Sequence, residues 1–275
     1  MGFGLRVVLN RLSTDCMPIS EEHREQFQEE GYFILESAIA GEMLQTLREE
    51  CSYFLGRMDQ EMEDREETSR GITHKGKRYF ISRRYRQSSR LWRFIFSDLM
   101  AEVCRATLGE VAYLFHEQWV VKGADVGMEF SWHQDSGYVK FSDPKTSHLP
   151  YLTCWTALDD IDENNGTVHL LPHSRAGTKN HICEHFRESG SNDLVGYTGD
   201  DPGIPVIAPA GSIACFSSTS LHRSGPNRSS AMRRVYLTQY SAERLLRSDG
   251  EQWSDAVPFL KDGENIYDPD SDRLG

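Results

Sequence analysis

Phe130 to Val139 reads FSWHQDSGYV, and within it His133 and Asp135 stand two residues apart. If both lie on one strand, the period of two turns their side chains to the same face. There an imidazole and a carboxylate suit a hard or borderline divalent metal. Two ligands leave the site incomplete, so a third donor has to come from elsewhere in the chain. His222, in SLHRSGPNRSSAMRRVYL, follows the β-rich run SIACFS at a plausible return point of a jelly roll. Arg233, eleven residues further on and at the head of the next β-run, could pair through both guanidinium edges with a carboxylate. Arg234 beside it would point the opposite way in a strand. An isolated H-x-D recurs by chance and a lone His222 fits a surface loop, so the weight rests on the joint placement.

Two histidines and one carboxylate on one side of an octahedral ion leave three positions open, the facial arrangement of non-haem iron(II) oxygenases. Those openings are what O2 and a chelating cosubstrate need. The rest of the chain must position these side chains. Ser20 can cap a helix opened by Glu21 and Glu22, Met43 to Met62 places apolar residues at helical spacing, and a further amphipathic helix is expected from Leu91 to Leu108, ending at Gly109. From Val111 onward short β-rich runs take over: VAYLFHEQWVVK, YLTCWTAL, TVHLLP, PVIA, SIACFS and RRVYLTQYS. The expected fold is mainly β, a double-stranded β-helix (jelly roll, cupin-like) core with a buttressing layer of N-terminal α-helices. The chain is read as a single domain over 1–275, mainly helical to about 110, jelly roll over about 111–241, and a C-terminal extension over 242–275, with the tail from Asp262 partly disordered.

A formal net charge of −12 over 275 residues argues against a general nucleic-acid binder. Hydrophobic residues at 38% and charged ones at 26% are ordinary for a globular protein. No stretch is long enough to cross a membrane, and the N-terminus, with Arg at position 6, lacks a myristoylation signal. Cys16, Cys51, Cys104, Cys154, Cys183 and Cys215 are scattered singly, which reads as reduced thiols and a cytoplasmic protein.

The segments WHQDSGYV, YLTCWTALDDIDENNGTVHLLPHSRAG and LHRSGPNRSSAMRRVYLTQY together resemble the phytanoyl-CoA dioxygenase family of iron(II)/2-oxoglutarate oxygenases, over roughly Tyr32 to Tyr240. The resemblance implies His133, Asp135 and His222 as iron ligands and Arg233 as the anchor of the distal carboxylate of 2-oxoglutarate. It also implies that Trp155 and Ser224 line the cosubstrate site, while Gln118, where some relatives place a methionine, could donate to cosubstrate or substrate. The cofactor set would be Fe(II), 2-oxoglutarate and O2, with succinate and CO2 released as a C–H bond is hydroxylated. Related halogenating enzymes replace the carboxylate ligand by a small residue, so Asp135 favours hydroxylation. The chain departs from the family after the LP that follows NNG, reading LPHSRAG, and His173 and Arg175 are left out of the catalytic set.

The substrate side rests on one feature. RGITHKGKRYFISRRYRQSSRLWR, Arg70 to Arg93, concentrates cations and aromatics in an acidic protein. It could be a lid hinged at Gly71 and Gly76 that reads a phosphate, phosphonate, carboxylate or coenzyme A ester, through residues among Lys77, Arg78, Tyr79, Arg83 and Tyr85. Equally, it could be a solvated face paired with the acidic run Asp59 to Glu67. HICEH, His181 to His185, matches no common zinc spacing and reads as a loop beside the pocket. The expected partners are a small-molecule substrate, neither nucleic acid nor membrane, and a second copy of the chain in a homo-oligomer. The competing readings are a non-catalytic metal- or ligand-binding jelly roll and, further off, a metal-dependent hydrolase.

Overall fold

In the computed structural model, residues 19–125 and 127–272 are described. The expectations for the N-terminal segment and Cys16 lie outside them. The chain opens with α1 (Glu21–Glu30), β1 (Tyr32–Leu35), α2 (Gly41–Glu63), the short strands β2 (Ser69–Arg70) and β3 (Thr73–His74), and β4 (Arg78–Ser82). A 3-10 turn at Tyr85–Gln87 leads to α3 (Trp92–Ile95) and α4 (Asp98–Thr107), then β5 (Ala112–Lys122), β6 (Phe130–His133) and α5 (Asp135–Ser142). There follow β7 (Leu152–Ala157), β8 (Val168–Leu171), α6 (His173–Ala176), β9 (Phe186–Arg187), β10 (Leu194–Val195) and β11 (Ile204–Pro205). The last elements are β12 (Ile213–Ser217), β13 (Leu221–Ser224), β14 (Arg233–Ser241), β15 (Val257–Lys261), β16 (Glu264–Asn265) and α7 (Pro269–Asp272).

Ten strands form the major sheet, in the order β1-β12-β7-β14-β5-β4-β3-β2, with β15 and β16 joined to β5; the minor sheet runs β11-β8-β13-β6. Alternation along the strands decides what each face covers. Val235 and Leu237 of β14 turn inward with Val120, Trp155 and Phe216, and meet Val168 and Leu170 of the minor sheet. Tyr236 and Tyr240 turn outward with Trp119, Cys154 and Cys215, onto Leu47, Cys51 and Phe54 of α2 and Met100 and Val103 of α4. The major sheet is therefore buried on both faces, which is why YLTCWTAL and SIACFS read as nearly continuous apolar runs rather than as alternating ones. This is a jelly-roll core buttressed by helices.

Several local expectations are corrected. The first hundred residues are not only helical: β1 pairs with β12 at one edge of the major sheet, and β2–β4 extend the other edge from β5. The helix expected over Leu91–Leu108 breaks at Phe96–Ser97, because Ser97 is extended and its side chain accepts from the Met100 amide, capping α4. PVIA forms only the end of a two-residue strand on β8, with an isolated bridge from Ala208 to Ile161. Nor is the tail disordered through residue 272. β15 and β16 form a hairpin on β5, and Tyr267 stacks on Phe96 with ring centroids 3.5 Å apart. Ser20 does cap α1, accepting from the His23 amide while its own N–H donates to His23 Nδ1.

The basic run is built into the sheet as far as Ser82 rather than hinged over it. Gly71 and Gly76 sit at positive φ in the turns joining β2, β3 and β4. Along β4, Arg78 and Phe80 face the interior cavity, whereas Tyr79 and Ile81 face the helical layer.

Candidate active site

His133 and Asp135 do not share a strand. β6 ends at His133, Gln134 has extended backbone, and Asp135 opens α5. The junction achieves what the strand period was expected to do. His222, on β13, lies directly opposite His133 in the minor sheet, with ring centroids 4.0 Å apart. Asp135 Oδ1 stands 3.8 Å from His133 Nε2 and 3.7 Å from His222 Nε2. Among the described residues this is the one group of three such side chains able to hold a metal ion.

The two imidazoles are prepared in the same way. His133 Nδ1 lies 2.8 Å from the Ser131 carbonyl and His222 Nδ1 lies 3.1 Å from the Ser220 carbonyl. A carbonyl only accepts, so each Nδ1 carries the proton and each Nε2 presents its lone pair to the centre. Burial, reinforced by His222, pushes His133 well below the usual histidine range and keeps it neutral, as a ligand must be. Asp135 Oδ2 accepts from Thr153 Oγ1 at 2.6 Å and Gln239 Nε2 at 2.9 Å, which leaves Oδ1 toward the histidines. This donor set and these locked tautomers fit iron(II).

The junction itself hangs on Gln134, a fully buried side chain that donates to the His181 and Thr219 carbonyls and accepts from the Cys183 amide. Its backbone N–H donates to His185 Nε2 at 3.0 Å, and His185 Nδ1 is paired with the Cys183 carbonyl. The HICEH segment thus packs as the support of the site. Gly137 and Gly196 are small because a Cβ at either would meet the His185 ring at 2.2–2.3 Å.

A cavity of about 290 Å³ runs between the sheets past the triad. At its buried end Arg233 is 1% exposed, with its guanidinium 5.3 Å from the Trp155 ring centre. Among the described residues it donates only to backbone carbonyls, Gly166 at 3.1 Å and Val120 at 3.5 Å, and its Nε has no partner. Burial brings its pKa down to about 10. A buried guanidinium without a carboxylate is a costly arrangement unless a ligand supplies the anion, and this one fits the far carboxylate of 2-oxoglutarate. Arg234 faces away and donates to Asp159 through Nε and Nη2. Ser224 and Gln118 also line the cavity, Gln118 accepting from Ser82 Oγ at 3.3 Å.

The structure treats the four substrate candidates differently. Arg78 lines the cavity, but its guanidinium is taken by Asp193 at 2.6 and 3.1 Å. Tyr79 donates to Asp59 and Tyr85 to Asp272, both on the helical side of the sheet. Arg83 lines the cavity at its open end, with a side chain 58% exposed that donates to Ser254 Oγ. Sequence reasoning missed Lys122, Thr153, Gln239 and Gln134. Only Lys122 carried a signal, as a cation closing the apolar stretch Trp119–Val121 at the end of its β-run.

A double-stranded β-helix with an imidazole–carboxylate–imidazole cluster between its sheets, and an unneutralised arginine deeper in the same cavity, defines the iron(II)/2-oxoglutarate oxygenase class. The chain belongs to the phytanoyl-CoA dioxygenase (PhyH) family, whose model matches residues 27–235. It is 23% identical over 237 residues to the peroxisomal phytanoyl-CoA dioxygenase of Rattus norvegicus, covering 82% of this chain and 69% of that one. It is 28% identical over 154 residues to a probable alpha-ketoglutarate-dependent hypophosphite dioxygenase of Stutzerimonas stutzeri, covering 53% of this chain and about half, 51%, of that one. Among solved structures, EvdO2 from Micromonospora carbonacea var. aurantiaca superposes with a TM-score of 0.63 at 19% identity, over 86% of this chain and 98% of that one. The protein is an Fe(II)/2-oxoglutarate-dependent dioxygenase acting on a small molecule. Among the described residues no helix is long and apolar enough to cross a membrane.

Proposed function

We propose that His133, Asp135 and His222 hold the iron, that Arg233, Trp155, Ser224 and Gln118 seat 2-oxoglutarate, and that the enzyme hydroxylates a C–H bond of a small anionic substrate admitted past Arg83. The observation that carries this reading is the convergence of two Nδ1-locked imidazoles on one carboxylate oxygen, in a cavity whose buried end holds an arginine without a carboxylate. When bound, iron and 2-oxoglutarate supply O2 activation, with the cosubstrate leaving as succinate and CO2.

The chain's own residues do the positioning. Ser131 and Ser220 carbonyls fix the imidazole tautomers, Thr153 and Gln239 fix the carboxylate, and Arg233 holds the cosubstrate by the end that does not react. Phe115, Val139 and Tyr151 pack together beside the triad, an apolar wall that keeps water from the reacting centre. A cavity of about 290 Å³ that must also seat the cosubstrate favours a small carboxylate, phosphate or phosphonate; most of a coenzyme A ester would lie outside it.

Succinate release screened over a panel of small anionic and neutral metabolites tests the reading. Turnover confined to anionic compounds, with a raised KM in Arg83→Ala, is the expected result. A neutral compound turned over equally by both enzymes would sink the anionic-substrate idea. No 2-oxoglutarate consumption with any metabolite would favour the non-catalytic jelly roll.

A further inference from the structure

Between the triad and the open end of the cavity, β5 breaks its own alternation. Gln118, Val120 and Lys122 face the cavity, while Trp119 and Val121 face the helical layer. Further along, Gln239 of β14 pairs with His116, but the next residue, Tyr240, pairs with Leu114, so Phe115 is a bulge. Leu114 therefore keeps its place against the helices, and both Phe115 and His116 line the cavity. Bulges near active sites re-aim side chains. This one sets an imidazole opposite Gln239, the residue that donates to Asp135.

The orientation of Gln239 follows from its partner. A carboxylate only accepts, so the amide NH2 faces Asp135, donating to Asp135 Oδ2 at 2.9 Å and to Thr153 Oγ1 at 3.0 Å. Its carbonyl oxygen receives no hydrogen bond among the described residues. Side chains directly opposite on paired strands lie roughly 4.5–5.5 Å apart at Cβ, so one ligand group can meet both His116 and that oxygen. Burial, with the Arg83 charge, pushes the His116 pKa down to about 4, and Gln118 engages one of its two nitrogens. The other is left for a ligand. Phe115, Val139 and Tyr151, with Trp253 packed against them, make the surroundings apolar.

We propose that His116 is a specificity residue which, with the Gln239 carbonyl, reads a hydroxyl group on the substrate, so that the substrates are small hydroxy acids rather than unsubstituted ones. The inference rests on the reading of Arg83 as the cation that admits an anionic substrate. Gln239 Oε1 only accepts, and the imidazole nitrogen donates or accepts by tautomer. A hydroxyl does both and serves either case. An ammonium would have to lie near Arg83, whose charge already disfavours protonation of His116. The alternative is that His116 only fills space at the bulge.

Matched probes separate the two roles. Values of kcat/KM for succinate release are measured with straight-chain acids of four to six carbons, each as the plain, 2-hydroxy, 3-hydroxy and 2-amino compound. The unmodified protein should prefer a hydroxy acid over the plain acid of the same length by about tenfold or more. In His116→Leu that ratio should fall by about tenfold, to near parity, whereas His116→Gln, which keeps a hydrogen-bonding group, should retain most of it. Loss of folded protein lowers every rate alike and cannot change the ratio. An unchanged ratio in His116→Leu, no hydroxy-acid preference in the unmodified protein, or a preference for the 2-amino acids overturns the role of His116. Arg83→Ala should raise KM for every acid and keep the ratio. If KM does not move in Arg83→Ala while the ratio still collapses in His116→Leu, the entry reading falls and His116 stands. No succinate release with any of these acids overturns both.

Discussion

The buried end of the cavity and the basic run from Arg70 to Arg93 both gather cations, and the protein treats them in opposite ways. In the run nearly every cation meets an acid: Arg70 meets Glu61 and Glu67, Lys75 meets Glu63, Arg86 meets Asp255 and Asp272, Arg90 meets Glu49 and Glu50, and Arg78 meets Asp193. At the buried end, among the described residues, Arg233 and Lys122 donate only to carbonyls. Density of charge along the sequence therefore says little about where an anion binds. Charge that the fold has buried and left unneutralised says much more, because leaving it so is costly unless an anion arrives.

The largest effect belongs to the triad at the centre of the comparison. His133→Ala, Asp135→Ala and His222→Ala should each abolish iron-dependent turnover while the fold survives. Iron titration with circular dichroism checks this, and a variant with unmodified iron affinity and rate would be struck from the ligand set. Next comes Arg78→Met, which strands the 1%-exposed Asp193 carboxylate and should cost about 3–5 kcal/mol of stability in denaturant unfolding. Asp193 also accepts from the Ser131 amide, so part of that loss should appear as weakened iron binding through β6. Arg233→Met strands no acid. It should cost far less stability and instead weaken 2-oxoglutarate by about 2–5 kcal/mol, whereas Arg234→Ala leaves that affinity nearly unchanged. If the two arginines fall equally, paired and unpaired cations do not differ as argued.

Much of this was legible in the chain because burial on both faces of the major sheet left long apolar runs, and because His222, Arg233 and the HQD segment keep their spacing. The parts that were not legible have physical reasons. DSGYVKFS has β-rich neighbours, and nothing local announces that the strand stops at His133 and a helix begins at Asp135. Asp193 lies 115 residues from Arg78, so pairing with the nearby acids Asp59 to Glu67 could be weighed from the sequence, but the partner of Arg78 could not. A hinged lid and a solvated face stayed equally open for β2–β4, because their hairpin turns use the same glycines a hinge would use. Lys122 looked like the polar end of a strand, and only its register with Arg78 on β4 and Arg233 on β14 exposes its isolation.

An anion without a cation sharpens the contrast. Glu117 is fully buried, and burial pushes it up to about 7 against the hydrogen bonds it accepts from the Arg84 and Tyr85 amides. A carboxyl raised above its unfolded value contributes stability that is full below about pH 4.5 and is lost as pH rises toward 7. Glu117→Gln keeps an acceptor for those amides and removes the charge. The variant should gain on the unmodified protein as pH rises from 5 to 8, by on the order of 3 kcal/mol at most, read from unfolding at each pH. A pH-independent difference would mean that the carboxyl is already ionised at pH 5 in the folded protein, and that burial does not raise it.

Glu117 matters to the substrate through what it holds. Arg83 sits at φ 58, a left-handed conformation uncommon for a residue with a side chain, with its N–H on the Glu117 carbonyl and the next two amides on the Glu117 carboxylate. Strain of this kind persists when the surroundings over-determine it, and it collects where a side chain must be aimed. Here the aim is the open end of the cavity, where Arg83 donates to Ser254 and stands 4.0 Å from Asp255, the loosest ion pair of the run. Because it is more than half exposed, its contribution is smaller than that of a buried cation. Arg83→Ala should raise KM for an anionic substrate by about tenfold, the size of one charge-assisted hydrogen bond, with kcat and 2-oxoglutarate affinity little changed. Arg86→Ala, which removes a fully paired neighbour, should leave KM alone. A rise in KM with Arg86→Ala equal to that with Arg83→Ala would mean that the whole run acts as a diffuse field, and that pairing does not decide which cation reads the substrate.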